Sequence, residues 1–190
     1  MIQKSLFNIP CWKIQIINFE EKKKKLIKLL ESYPEEKDNK SRLALNSQAF
    51  STNRQSDRSG LVEQFLSIMS EEMEDISKEL KKDFAIPEIW SVSYDKGDYH
   101  LPHNHSSIGL TGILYLNLPE DSSGTTYIQP WNDYELDKFQ CVEIPITEGD
   151  IAIVPSSILH FTKPNESDSK KRIISWDMKI LYKKLNTTVA

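Results

Sequence analysis

The chain has 190 residues, a formal net charge of −4, 38% hydrophobic residues and 27% charged residues. These values are ordinary for one soluble globular domain that is long enough to bury a core. The mild negative charge argues against a general nucleic-acid binder, and no apolar run reaches the length of a membrane-spanning helix. We therefore expect a single domain over residues 1–190 with neither a membrane nor a nucleic-acid partner.

The N-terminus and the two cysteines indicate the cellular compartment. No signal peptide is expected, because Pro10 and Lys13 interrupt the N-terminal apolar stretch and no small-residue cleavage site follows. Cys11 and Cys141 lie far apart and form neither a disulfide framework nor a Cys-x-x-Cys motif. This cysteine usage fits a reducing cytoplasm best.

The first part of the chain, residues 1–86, is predicted to be a helical support that includes a long loop. Residues 11–17 alternate and are β-branched enough to form a strand. A helix is then predicted to begin after Asn18 as its N-cap, with Glu21 completing a capping box. This helix is expected to end near Tyr33.

A polar loop is expected to separate this helix from a second one. Residues 34–59 are rich in Lys, Asn, Ser and Arg and predict a loop with a short ordered piece at 43–50. The second helix is predicted to begin at Ser59 or Gly60, because the apolar residues that follow recur at spacings of three and four. These residues are Leu61, Phe65, Ile68, Met69, Met73, Ile76 and Leu80.

From residue 87 to 182 the pattern changes to short strands that are separated by glycines and polar clusters. The predicted strands cover 88–94, 110–117, 125–129, 140–144, 150–154, 159–163 and 172–181. Two helices followed by seven or eight short strands favour an α+β fold. We predict a double-stranded β-helix core, a cupin-like jelly roll, that is backed by the two N-terminal helices.

Three of the four histidines, His100, His103 and His105, fall within six residues, and His160 follows the apolar run 151–155. His103 and His105 are two apart, and such residues on a strand point to the same face. With His160 they would form a three-histidine site with open positions. His103, His105 and His160 are therefore the predicted metal ligands and catalytic residues, with zinc as the main competitor of iron. His100 is expected on the opposite strand face.

Six short motifs occur in a fixed order over roughly Pro87 to Ile180. They are Tyr94-Asp-Lys-Gly97, Pro102-His103-Asn-His105, Leu110–Asn117, Ser123–Tyr127, Glu148–His160 and Arg172–Trp176. Their order and spacing resemble the 2-oxoglutarate and iron(II)-dependent oxygenase superfamily. The match is to its prolyl-hydroxylase-like branch and to the small bacterial and phage proteins grouped with that branch.

The resemblance implies a dioxygenase that uses Fe(II), with 2-oxoglutarate as cosubstrate and O2, to hydroxylate an unidentified small molecule or peptide. It implies that Arg172 holds the distal carboxylate of 2-oxoglutarate, since a guanidinium can bind a carboxylate bidentately. Ser175, Tyr94 and Tyr115 would add hydrogen bonds, and His100 would lie beside the cosubstrate or behind a metal ligand.

One position departs from the family pattern, because His105 stands where the family has the aspartate of His-x-Asp. Three accounts of the site are open. The iron could have three histidine ligands, it could have two with water or halide in the third position, or a carboxylate such as Asp98 or Asp150 could move in.

Two other functions and the assembly state also stay open at this point. The missing carboxylate is compatible with a non-catalytic cupin-like metal-binding or structural protein. Three histidines are compatible with a cosubstrate-independent dioxygenase, although the Arg172 motif argues against it. The sequence does not decide between a monomer and a homodimer.

Overall fold

The structure is a computed structural model that describes residues 8–33, 35–37, 50–52, 60–133, 135 and 137–181, and the backbone alone at 35–37 and 50–52. Most of the ordered piece predicted at 43–50 therefore lies outside the described residues. Among the described helices, none is both long and apolar enough to span a membrane.

The N-terminal part of the chain contributes strands to a sheet as well as helices. Its elements are β1 (Trp12–Gln15), α1 (Phe19–Glu31), β2 (Glu35–Lys37), β3 (Phe50–Thr52), α2 (Leu61–Ile68), α3 (Ser70–Leu80) and β4 (Asp83–Ala85). The four strands all join the larger of two sheets. The helical support and the strand core are thus interleaved along the chain.

Asn18 is the N-cap of α1, but the predicted capping box is wrong. The Asn18 backbone lies in the left-handed region at φ 55°, and its side chain makes no capping hydrogen bond. Its carbonyl oxygen instead accepts the backbone N–H groups of Glu21 and Lys22. Asparagine tolerates this conformation better than most residues, and the acidic first turn complements the helix dipole.

The second predicted helix is two helices, α2 and α3, with a break at Met69. No proline or glycine marks the break. Met69 donates its N–H to the Phe65 carbonyl, and Met73 in turn donates to the Met69 carbonyl. Ser70 begins α3, and Glu71 and Glu72 lie in its first turn, where negative charge favours a new helix start.

The remaining strands form two antiparallel sheets. They are β5 (Ile89–Tyr94), β6 (His100–His103), β7 (Leu110–Asn117), β8 (Thr126–Asp133), β9 (Lys138–Glu143), β10 (Asp150–Pro155), β11 (His160–Thr162) and β12 (Lys171–Leu181). The larger sheet has the order β1-β10-β7-β12-β5-β3-β2, with β4 also paired to β12, and the smaller has the order β6-β11-β8-β9. Each predicted strand from residue 88 onward has a counterpart. The short strands β2 and β3, in the predicted loop, and β4 were not predicted, and β6 covers only His100–His103 of the histidine segment that was interpreted as a strand.

The larger sheet separates two hydrophobic clusters. Its outer face packs against the helices, with Trp176 and Ile174 among the buried residues. Its inner face carries Trp90, Tyr94 and Ile173, among others. The curled antiparallel sheets and the helices behind them confirm the predicted α+β fold with a double-stranded β-helix core.

Candidate active site

His103 and His160 meet because β6 and β11 are paired antiparallel strands. His160 lies directly opposite His103 across the two strands, and their ring centroids are 4.5 Å apart. His160 is only 4% exposed. Strand pairing alone therefore places two imidazoles side by side on the smaller sheet.

His105 reaches the same place by a different route from the one predicted. Strand β6 ends at His103, so the two residues do not share a strand face. The chain turns instead, and the His105 N–H donates to the carbonyl of Ser156 at 3.0 Å, just after β10. The His105 ring then lies with its Nε2 atom 3.3 Å from Nε2 of His160.

Each of the three imidazoles has a hydrogen-bond acceptor beside Nδ1. The acceptors are the Leu101 carbonyl for His103 at 2.8 Å, the Ile158 carbonyl for His160 at 3.0 Å and the Asp177 carboxylate for His105 at 3.1 Å. A carbonyl or carboxylate oxygen can only accept, so the proton is on Nδ1 and the metal-binding atom of each ring is Nε2.

The geometry of this cluster fits one metal ion. Its three ligand atoms all lie within 4.8 Å of one another. Two nitrogens about 2.1 Å from one ion are roughly 3.0 to 3.4 Å apart, which includes the 3.3 Å between His105 and His160. Two unprotonated nitrogens at that distance repel each other, and a cation between them removes the repulsion.

Burial and then the neighbouring His103 lower the pKa of His160 to about 3. His160 is therefore neutral at ordinary pH. Neutral imidazole is the form that binds a metal.

His100 lies behind the cluster rather than on the far side of β6. Its ring stacks on that of His103 with centroids 4.4 Å apart and an interplanar angle of 25°. It pairs with Thr162, and the register between β6 and β11 is irregular at this point. This irregularity overrides the strict strand alternation that predicted opposite faces.

Arg172 and Lys171 are neighbours on β12, and their side chains lie on opposite faces of the sheet. Arg172 Nε donates to the hydroxyl of Ser93 at 2.9 Å, and it shares the outer, helix-facing side of the sheet with Ile174. Lys171 pairs with Tyr94 and its ammonium lies over the Tyr94 ring at 5.4 Å, on the inner side. The structure thus places Arg172 on the opposite side of the sheet from the histidines, contrary to the sequence interpretation.

The Lys171 ammonium is enclosed by the protein. Lys171 is 1% exposed, and Nζ donates to the carbonyls of Ser123 at 2.7 Å and Gly124 at 3.3 Å. In the described part of the chain, no carboxylate lies within ion-pair distance of it. Sequence analysis missed this residue, although its position two residues before Ile173 and four before Ser175 puts all three on one strand face.

Three tyrosines lie around this ammonium and the histidines. Tyr94 and Tyr115 are on the inner face of the larger sheet, and Tyr127 is on β8 of the smaller sheet. Tyr94 OH accepts a hydrogen bond from Thr162 at 3.5 Å, and Tyr115 OH donates to Thr125 at 2.9 Å. The hydroxyl of Tyr127 is buried and has no hydrogen-bond partner among the described residues. Burial, and secondly Tyr115, raises the pKa of Tyr127, so this phenol stays a proton donor.

The other predicted residues have varied positions. Ser175 is buried on the inner face, opposite Trp90 and Ile113. The two carboxylates that were considered as replacement ligands are engaged elsewhere. Asp150 accepts hydrogen bonds from the backbone N–H and the hydroxyl of Thr147 and forms an ion pair with Lys13. Asp98 accepts a hydrogen bond from the backbone N–H of Asp95.

Residues 88–177 match a sequence family described as "Putative 2OG-Fe(II) oxygenase". The matched segment contains all three clustered histidines. No protein among the curated ones matches the chain.

Solved structures with the same fold share little sequence with this chain. An oxidoreductase of the 2OG-Fe(II) oxygenase family from Burkholderia pseudomallei has a TM-score of 0.67 and 10% identity, over 88% of this chain and 84% of that one. A prolyl-4-hydroxylase from Pseudomonas putida has a TM-score of 0.58 and 12% identity, over 90% and 93%. The α-ketoglutarate-dependent carbocyclase SnoK from nogalamycin biosynthesis has a TM-score of 0.65 and 10% identity, over 90% and 79%.

The family match and the shared fold agree with the motifs of the sequence. They confirm the resemblance: the jelly-roll part of this chain is similar in sequence to a family of 2-oxoglutarate and iron(II)-dependent oxygenases and shares the fold of solved members of that class.

Proposed function

We propose that this protein is an active 2-oxoglutarate-dependent hydroxylase whose iron is held by His103, His105 and His160. The observation that carries the proposal is the convergence of three imidazoles whose Nδ1 atoms all face an acceptor. A structural or purely packing role does not require three rings to present Nε2 to a common point. When bound, the iron would supply the oxygen chemistry, as it does in this family.

The protein's own contribution is to fix the ligands before the metal arrives. Hydrogen bonds at Nδ1 set the tautomer and the orientation of each ring. The Trp90 ring adds a stack on His105 at 5.2 Å between centroids. Three neutral ligands on one side of an ion leave positions for a chelating cosubstrate and for O2.

We further propose Lys171, in place of Arg172, as the anchor for the distal carboxylate of 2-oxoglutarate. A buried ammonium without a nearby carboxylate is an expensive arrangement, and an anionic ligand would offset its cost. The Tyr127 phenol lies near His160, with ring centroids 6.0 Å apart, and has no hydrogen-bond partner among the described residues, so it can donate to that ligand. This buried cation favours a cosubstrate-dependent oxygenase over a cosubstrate-independent one.

Hydroxylation of a small molecule or a peptide is the reaction class we propose for the unidentified substrate. The resemblance to the prolyl-hydroxylase-like branch supports it. The similarity to a carbocyclase as well as to a prolyl hydroxylase means that the fold alone does not specify the outcome. A candidate substrate is tested by incubating it with the iron protein, 2-oxoglutarate and O2. Hydroxylation adds one oxygen atom to the mass of the substrate and forms succinate.

Titration of 2-oxoglutarate into the anaerobic Fe(II) protein tests the proposal. We expect the wild type to develop the weak visible charge-transfer band of a chelated cosubstrate. Lys171→Met keeps most of the apolar stem of the side chain and removes the charge. A charge-assisted hydrogen bond contributes roughly 1.5 to 3 kcal/mol, so the variant should bind 2-oxoglutarate about 10- to 100-fold more weakly.

Arg172→Met is the matched control, because it removes a cation from the adjacent residue on the opposite face of β12. It should leave the dissociation constant of 2-oxoglutarate within about twofold of the wild type, well below one factor of ten. The opposite pattern would restore Arg172 as the anchor. A wild type that binds iron and never develops the band would contradict the cosubstrate assignment itself.

A further inference from the structure

Asp177 is a carboxylate in direct contact with the histidine cluster, and neither the family pattern nor the motifs single it out. It lies on the inner face of β12, directly opposite Thr111 of β7. Its Oδ1 atom is 3.1 Å from Nδ1 of His105. The pair links the larger sheet to the turn that carries His105.

A second contact of this carboxylate is the buried hydroxyl of Thr111, which is in turn hydrogen-bonded to Ser156. The Thr111 hydroxyl lies 3.4 Å from Asp177 Oδ1 and 2.9 Å from the hydroxyl of Ser156. Thr111 and Ser156 are both at most 2% exposed. The backbone carbonyl of Ser156 also accepts the His105 N–H, so the same residues position the carboxylate and the imidazole that faces it.

Within the described residues, the ion-pair partner of Asp177 is His105, and no lysine or arginine nitrogen lies within 4.0 Å of its carboxylate. Three neutral imidazoles bring no negative charge to a divalent ion. The family pattern places one carboxylate directly on the metal, whereas here the Asp177 carboxylate contacts the imidazole of a proposed ligand.

We propose that Asp177 is the positioning residue of this metal centre. It keeps His105 in the Nδ1–H tautomer, with Nε2 toward the metal, and it supplies beside that ring the negative charge that His105 lacks as a ligand. The inference rests on the proposed three-histidine site. It assigns to β12 a role in the metal centre that is separate from the cosubstrate anchor at Lys171.

Two variants distinguish the hydrogen bond to His105 from the negative charge of Asp177. Asp177→Ala removes the hydrogen-bond acceptor and the charge, whereas Asp177→Asn keeps an acceptor and removes the charge. Loss of the partner behind a metal-bound histidine typically weakens metal binding about 10- to 100-fold. We expect Asp177→Ala to show a loss in this range for Fe(II) under nitrogen and for Zn(II). Asp177→Asn should also bind more weakly than the wild type.

The second readout is the tautomer of His105 in the metal-free protein, measured from the ¹⁵N chemical shifts of its ring. In the wild type and in Asp177→Asn the shifts should report a protonated Nδ1. In Asp177→Ala the Nε2–H form should become populated. Thermal melting of the metal-free variants checks that each is folded. Asp168→Asn is the control, because it removes a negative charge from an exposed ion pair with Lys96 and should change neither readout.

Two results would overturn the role of Asp177 alone. One is a folded Asp177→Ala that binds metal as tightly as the wild type, and the other is an unchanged His105 tautomer in that variant. Unchanged metal affinity in Asp177→Asn would refute the charge contribution. A wild type that binds no metal would instead refute the three-histidine site, and with it the proposed function.

Discussion

Burial gives Lys171 a chemistry that an exposed lysine lacks. Removal from water disfavours the charged form and lowers the pKa of Lys171 to about 8, while the more distant Glu143 acts in the opposite direction. The ammonium is therefore charged at neutral pH but begins to lose its proton in mildly alkaline solution. If this residue anchors 2-oxoglutarate, the affinity for the cosubstrate must follow that titration.

We predict that 2-oxoglutarate binding weakens as the pH rises through about 8. The charged form binds the dianion, so affinity is fully present below the pKa of the free protein and is lost above it. Between pH 7 and pH 9 the protonated fraction, and with it the affinity, should fall about tenfold. Dissociation constants measured at several pH values on the anaerobic iron protein check this.

Lys171→Arg is the control for this pH dependence, since a guanidinium stays protonated throughout the range. That variant should show a flat profile above pH 7. A wild-type profile that is flat from pH 7 to pH 9 would mean that Lys171 does not contact the ligand.

Single residues also show where sequence reasoning stops. The sequence predicted the three clustered histidines, because their number and spacing are unusual. It selected Arg172 as the cosubstrate anchor because arginine is the better carboxylate ligand. Arg172 and Ser175 are three residues apart, however, and cannot share a strand face. The alternation that begins at Ser175 leads to Lys171, whereas the contact between Asp177 and His105 depends on tertiary structure and has no sequence signal.

At the scale of elements, the helices support the sheet that carries the site. Phe65 of α2 packs on Trp176 of β12 with ring centroids 5.3 Å apart. Gly112 of β7 makes room for that indole, since a Cβ atom there would lie 2.1 Å from it. The outer face of β12 is thus fixed by packing, and Lys171 and Asp177 project from the other face of the same strand.

We predict that Met69→Asp destabilises the fold strongly. Met69 is fully buried between the helices and the sheet, and an unpaired charge there costs several kcal/mol. A loss of roughly 3 to 5 kcal/mol lowers the melting temperature by about 6 to 20 °C for a chain of this length. Thermal melting followed by circular dichroism measures the change.

Met69→Leu is the comparison, because volume-conserving apolar exchanges cost less than about 1.5 kcal/mol. It should melt near the wild type. An Asp variant that melts at the wild-type temperature would show that this helix face is not part of the core.

The elements themselves were more predictable than their details. Apolar spacing from Leu61 to Leu80 identified a buried helical face, and alternation identified the longer strands. The break at Met69 could not be foreseen, because neither glycine nor proline marks it. The two-residue spacing of His103 and His105 suggested one strand, whereas a turn tied to Ser156 brings the rings together. The spacing therefore correctly indicated that the two rings lie close together, although a turn and not a shared strand face brings them there.

At the scale of the whole molecule, the three histidines lie where the two sheets meet. His103 and His160 belong to the smaller sheet through β6 and β11. His105 is tied to the larger sheet through Ser156 and Asp177. A metal ion bound by all three would connect the sheets at this edge, and its binding free energy would add to the stability of the folded chain.

We therefore predict that metal raises the melting temperature of the wild type and that the effect depends on His105. At a free metal concentration a hundredfold above the dissociation constant, binding to the folded state contributes about 2.7 kcal/mol. That corresponds to a rise of about 5 to 10 °C for a domain of this length. Zn(II) suits histidine ligands and is not oxidised in air, so thermal melting with and without it is a direct measurement. His105→Ala should lose most of the rise, because one of three ligands is gone. If that variant keeps the full rise, His103 and His160 hold the metal without His105, and the two-histidine account of the site is correct.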